Sequence, residues 1–149
     1  MPGYVTQPTA AVSVTGAAAK SVLSVITAAT RRARIKRVTI GGLSVTASHA
    51  PGIVEIVQHD TDGTGTAVTP VALDPAEPAS ITTSKSNYTA EPTTNIVVRD
   101  KFPLSPQGVT AEKAYGPGEE LVVPISKTCT VRVTMPDNQS IWATIEYEE

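Results

Sequence analysis

The chain has 149 residues, of which 21 are Thr, 18 Val and 10 Ile, so about a third of its side chains are β-branched, a composition that favours strands over helices. With 40% apolar and 17% charged residues and a net charge of −2, it has the balance of one folded domain and not of a disordered tail. The single Cys129 excludes a cystine-stapled secreted scaffold and the multi-cysteine zinc arrangements, and a chain of this length buries roughly 68–70% of its unfolded surface without needing either.

Residues 1–19 are small, polar and weakly patterned, with Pro2, Gly3, Pro8 and Gly16. They predict an extended N-terminal arm outside a single β-sandwich domain of residues 20–149, whose removal leaves that domain intact. The start, Met1-Pro2-Gly3-Tyr4, has no basic flank for a signal peptide, and the weakly charged stretch 11–30 is interrupted by Lys20 and rich in Ser, Thr and Gly. It is too polar to span a bilayer, so cytoplasmic synthesis and no membrane partner are expected.

Ala17-Ala18-Ala19 favours helix, but the β-branched run Ser21-Val22-Leu23-Ser24-Val25-Ile26-Thr27 predicts a strand at 21–27. Further strands are predicted at 33–40, 53–59, 66–73, 95–99, 120–125, 128–135 and 140–147. Eight turn-separated strands make an all-β, antiparallel sandwich or barrel. Residues 60–66 read as a hairpin loop whose glycines take positive φ. Prolines at 70, 75, 78 and 92 predict an extended connection over 66–94 with little room for central strands, and 103–118 reads as a second surface excursion.

Alternation is strictest near the C-terminus. Val131, Val133 and Met135 share one face of their strand, and Ile141, Ala143, Ile145 and Tyr147 share one face of the next; both sets are predicted core. The turn residues Pro136-Asp137-Asn138-Gln139 between them predict an antiparallel hairpin. Trp142 falls on the polar face, either as a lid over a sheet edge or as an anchor in a subunit interface, where Trp is enriched.

Charge divides along the chain. No acid precedes Glu55, and this first part carries Lys20, Arg31, Arg32, Arg34, Lys36 and Arg37 for +6, against −8 in the remainder. Such polarity either orients docking on another surface or is paired within the fold. Arg31, Arg32, Arg34, Lys36 and Arg37 form the one basic cluster, and phosphates are its natural partner. No aromatic residue interleaves it for base stacking and the chain is acidic overall, so a structural strand or a protein-docking face is expected and nucleic acid is not.

No catalytic constellation is visible. His49 and His59 have no nucleophile elbow beside them, and Cys129, between two threonines, reads as a buried inert thiol. Asp60-x-Asp62-Gly63 begins like a calcium loop but lacks the later ligands. Gly63-Thr64-Gly65 lacks the rest of a dinucleotide fingerprint or P-loop. No enzyme activity, cofactor, metal or small-molecule substrate is expected.

Three segments resemble a family of small structural proteins of tailed bacteriophages. They are residues 18–39 running into Gly52-Ile53-Val54-Glu55-Ile56-Val57; the most specific, Gly63-Thr64-Gly65-Thr66-Ala67-Val68-Thr69-Pro70-Val71-Ala72-Leu73-Asp74-Pro75-Ala76-Glu77-Pro78-Ala79-Ser80 with Asn87-Tyr88-Thr89-Ala90-Glu91-Pro92-Thr93; and the closing Ala143-Thr144-Ile145-Glu146-Tyr147-Glu148-Glu149. Residues 102–118 depart from the family pattern, lacking an aromatic-rich run before Pro-Gly. The resemblance implies a jelly-roll-like β-sandwich on the outer surface of the virion. There it decorates or cements the head at three-fold positions of the major capsid protein lattice, as a homotrimer; the basic cluster is then the expected capsid contact, and the Trp142 anchor read from its polar face is the expected subunit-interface residue. A tail or baseplate protein shares the same features. A carbohydrate-binding module needs exposed aromatic platforms, for which Trp142, Tyr115 and Tyr88 are the candidates.

Overall fold

The structure, a computed structural model, describes residues 1–44 and 50–149; His49 lies outside the described residues. The chain is all-β, with β1 (Gly3–Thr6), β2 (Val12–Val14), β3 (Ala19–Ile26), β4 (Ala33–Leu43), β5 (Gly52–His59), β6 (Thr64–Val68), β7 (Val71–Ala72), β8 (Thr83–Ala90), β9 (Val97–Leu104), β10 (Gln107–Ala114), β11 (Leu121–Val123), β12 (Thr128–Thr134) and β13 (Gln139–Glu148). They form two antiparallel sheets packed as a β-sandwich. One runs β10-β4-β13-β1-β7, with β11 also on β4 and β2 also on β13; the other runs β6-β8-β3-β12-β5-β9.

Period-two alternation places the core. Ile141, Ala143, Ile145 and Tyr147 of β13 and Ile35, Val38 and Ile40 of β4 face Leu23, Val25, Val54, Ile56, Val131 and Val133 of the other sheet, joined by Met135 just beyond β12, and all are at most 1% exposed. Each Val, Leu, Ile or Met side chain among them contributes about 1.5–3 kcal/mol relative to an exposed one.

The two C-terminal core faces are those the alternation predicts, but the hairpin between them does not form. β12 pairs with β3 and β5, whereas β13 pairs with β4, β1 and β2. Each strand has an apolar face, and placing them on opposite sheets buries both faces against one another; the turn after Met135 therefore crosses between sheets. Residues 60–63 are likewise no hairpin loop. They carry the chain from β5 across the second sheet to β6, because β12, β3 and β8 lie between those strands.

The N-terminal residues are extended as expected, but they do not form an arm outside the domain. β1 pairs with β13 from Gly3↔Glu148 to Thr6↔Ile145, and β2 pairs with the start of β13. Tyr4, Val12 and Val14 are buried, Tyr4 stacks on Tyr147 with ring centroids 5.6 Å apart, and the Thr6 hydroxyl donates to Ser84 Oγ of the opposite sheet at 2.7 Å. Spacing the apolar residues at 4, 12 and 14 hides a strand signal that only pairing with β13 completes.

The proline-rich middle also differs from expectation. Pro70 divides the predicted strand 66–73 into β6 and β7, while β8 lies inside the second sheet between β6 and β3, its inward positions occupied by the buried Ser84 and Ser86. Serines at core positions erased the apolar alternation by which a strand is recognised. The prolines all fall outside β8; Pro75 and Pro78 lie in 73–82, a segment held by Tyr4 Oη donating to Pro78 O at 3.0 Å, by Ser80 Oγ 2.8 Å from Tyr147 Oη, and by the Glu149 carboxylate accepting from Ile81 N and Thr82 N at 2.8 and 3.0 Å. The second excursion contains β10, an edge strand on β4.

Tyr4→Ala is expected to lower the melting temperature by roughly 10 °C, and deletion of residues 1–16 to lower it further, with thermal unfolding followed by circular dichroism as the check. An unchanged melting temperature after the deletion would restore the arm as a separate element.

Candidate functional site

The predicted contact residues are divided by the fold. Arg34, Lys36 and Arg37 lie on β4, whereas Arg31 and Arg32 stand exposed on the turn between β3 and β4. A register irregularity where Glu146↔Arg37 is followed by Tyr147↔Ile35 turns both Lys36 and Arg37 away from the core. There they meet acids from three flanking strands or loops. Lys36 Nζ is 2.8 Å from Glu120 and 3.5 Å from Glu148, and the Arg37 guanidinium is 3.2 Å from Glu146 and 3.6 Å from Glu112. The hydrogen bond to Glu120 holds the Lys36 ammonium above its ordinary range, and the same bond holds the Glu120 carboxyl below its own. Arg34 sits opposite Glu148 in register, with its Nε buried and without a hydrogen-bond partner. Arg31 and Arg32 have no ion-pair partner among the described residues.

Trp142 lies on the same outer sheet face, opposite Gly41 in register. β13 is a central strand, so Trp142 is not a lid over a sheet edge. It lines a groove of about 240 Å³ with Thr39, Ile40, Gly41, Gly42, Leu43, Gly108 and Thr110. A side chain at Gly42 would place its Cβ 2.6 Å from Pro106 O, so the glycine is what admits the close approach of the loop before β10. The other aromatic candidates are occupied. Tyr88 is 1% exposed; Tyr115 is half-buried, donates to Asp100 Oδ2 at 3.2 Å and carries Lys113 Nζ 5.8 Å from its ring centroid.

A polar cluster that sequence reasoning missed lies on the outer face of the second sheet. The segments 60–63 and 91–96 both traverse that sheet, joined by Asp60 N to Thr94 O at 3.3 Å and by Asn95 Nδ2 to Asp60 Oδ2 at 2.6 Å. Around them Asp62 accepts from Tyr88 Oη at 2.6 Å and pairs with Lys85 at 2.6 Å, Ser24 Oγ lies 2.5 Å from Tyr88 Oη, and Glu91 accepts from the backbone and hydroxyl of Ser21. Gly63 is required here for close approach and not for positive φ: an added Cβ would be 2.2 Å from Ala90 O. The one legible hint was Asp60-x-Asp62-Gly63, whose carboxylates are engaged separately, Asp60 by Lys127 and Asn95 and Asp62 by Lys85 and Tyr88. Among the described residues no group of three or more His, Cys, Asp or Glu is placed to hold a metal.

His59 is 3% exposed beneath these crossings. Its Nδ1 donates to the Thr61 carbonyl at 3.0 Å, which fixes Nε2 as acceptor for the Thr130 hydroxyl at 2.6 Å. Both ring nitrogens are engaged, so the imidazole offers no free base. Burial pushes its pKa down, outweighing the Thr61 carbonyl, Asp62 and Glu91. Burial also pushes the Cys129 thiol up to about 12; it is buried and free. Among the described residues no helix is long and apolar enough to cross a membrane. Comparison with family models, with curated proteins and with solved structures found no match.

Because the folded protein resists protonating His59, the unfolded chain binds the extra proton below the ordinary histidine pKa of about 6.5, and stability falls as pH drops through that value. Melting temperatures measured between pH 7 and pH 5, above the range where carboxylates titrate, are expected to decline in the native chain and to decline less in His59→Gln. Equal slopes would show that His59 is not the group responsible.

Proposed function

We propose that this chain is a virion structural protein of a tailed bacteriophage, a decoration protein that binds the outer face of the capsid lattice at three-fold positions and stabilises the filled head. The phage assignment rests on the resemblance of the segments quoted above, which also supplies the jelly-roll reading of the sandwich. The observation that supports a lattice-binding role is the division of the basic cluster. Lys36 and Arg37 are neutralised by the sheet's own acids, whereas Arg31 and Arg32 project from a turn between two sandwich strands, with both chain ends held against the sheet by the Glu149 N to Pro2 O bond of 3.3 Å and the β1–β13 ladder. A stiff block with exposed cations at one corner suits binding to an acidic surface that repeats, since complementary potentials orient each encounter and ordering costs are small. The capsid contact is accordingly assigned to Arg31 and Arg32, with Lys36 and Arg37 tied to acids of this protein behind them.

Reduced glycan-binding capacity follows from the burial of Tyr88 and the engagement of Tyr115, which leave Trp142 as the aromatic of the groove; this reading ranks below decoration and tail attachment. Immunogold electron microscopy of source virions is expected to label the whole head. Label confined to one vertex or the tail would replace decoration by the tail reading, and unlabelled particles would remove the phage role. In a pelleting assay with undecorated heads, Arg31→Glu/Arg32→Glu is expected to weaken attachment by about tenfold or more and to lose the salt dependence of the native chain, with an unchanged melting temperature. Undiminished attachment would remove these two residues from the contact.

A further inference from the structure

Sheet edges present unpaired backbone donors and acceptors, and folded proteins normally protect them with shortness, charge, proline or bulges. Most edge segments here are protected in this way. β7 has two residues, and β2 and β11 have three each. β9 carries Arg99, Asp100, Lys101 and Pro103. β10 carries Glu112 and Lys113, an irregular register between Gln107 and Thr110, and Gly108 at φ 60°.

β6 is different. It ends the second sheet beyond β8, its Thr64, Thr66 and Ala67 are exposed, and residues 63–73 contain no Asp, Glu, Lys, Arg or His. The irregularity in its pairing with β8 lies between Thr64 and Thr66, and the ladder is regular over Thr66↔Ser86, Ala67↔Lys85 and Val68↔Ser84. The one charge opposite this stretch, Lys85, is ion-paired with Asp62 at 2.6 Å. Just beyond it, Val71 and Leu73 are 62% and 58% exposed, so an uncharged edge passes directly into exposed apolar side chains.

We propose that β6 is a self-association edge, pairing antiparallel with β6 of a second copy of this chain about a two-fold axis at Ala67. The charge pattern selects a second copy. An isologous contact brings the same surface of both copies together, so a charge beside the axis would lie diagonally across from its own copy on the partner strand and oppose pairing. Residues 63–73 supply none. The axis places Thr66 opposite Val68 of the other copy and Ala67 opposite itself, and joins two six-stranded sheets through backbone hydrogen bonds. The pairing goes beyond the decoration reading and is a property of the isolated protein; on a capsid, it links copies seated at neighbouring three-fold positions.

Sedimentation velocity on the full chain, from about 1 μM to about 1 mM, is expected to show a monomer–dimer equilibrium unchanged between low and high salt, because no charge is desolvated. Thr66→Lys is expected to weaken dimerisation by more than tenfold at an unchanged melting temperature, and an equimolar mixture of Thr66→Lys and Thr66→Glu to recover a heterodimer. Ala67→Cys is expected to form an intermolecular disulfide under mild oxidation, which keeps the test decisive if Thr66→Lys fails to fold. A monomer over the whole range, a trimer in place of the dimer, dimerisation unaffected by Thr66→Lys, or no cross-link through Ala67→Cys would each overturn the pairing. Because these measurements use no virion, they fail or succeed separately from the capsid-binding experiments.

Discussion

Strand β13 directs Ile141, Ala143, Ile145 and Tyr147 inward, none of them more than 1% exposed, and those four side chains need a second apolar surface to cover them. The other sheet supplies it, from β3 and β12 among its strands, so two strands adjacent in sequence lie on opposite sides of the core. The remaining architecture follows from that separation. Once β13 is an interior strand, its flanks must be paired: β4 takes one side, and β1 with β2 takes the other. That requirement draws in the first residues of the chain, and the Tyr4–Tyr147 stack then supplies the hydroxyls that hold the proline-rich 73–82 segment in place.

The same topology resolves the charge division between the first third of the chain and the rest. β4 carries the basic residues, and the acids that neutralise Lys36 and Arg37 come from β13, β10 and the approach to β11, all distant in sequence. Pairs of this exposure contribute little to stability individually. Their consequence is local: they remove most of the basic strand from competition for an external partner and leave Arg31 and Arg32, at its start, without an ion pair among the described residues. On the opposite flank, the uncharged β6 edge is the counterpart, a surface whose interactions are backbone hydrogen bonds and apolar contact.

The outer face of the second sheet shows how polar residues can make a core of their own. His59, Thr130, Ser24, Tyr88, Asp62 and Lys85 are covered by two crossing segments, and their polar groups find one another at 2.5–3.0 Å. Satisfied in this way, buried polar groups fix one arrangement of the crossings. Gly63 is part of that arrangement because any side chain there would collide with the Ala90 carbonyl.

The sequence by itself determined the all-β class, the two C-terminal core faces, seven of the strands near their observed positions, and the burial of Cys129, because period-two alternation and β-branching are local properties. It also located the basic cluster and Trp142. It missed β1, β2, β8 and β10, whose inward positions are few or are filled by Ser84 and Ser86, and it joined β12 to β13 in a hairpin. Only the tertiary structure decided which sheet each strand enters, which of the basic residues are neutralised, and that His59 is locked between Thr61 and Thr130. Those outcomes depend on partners dozens of residues away, and alternation along one strand carries no information about which strand will cover it.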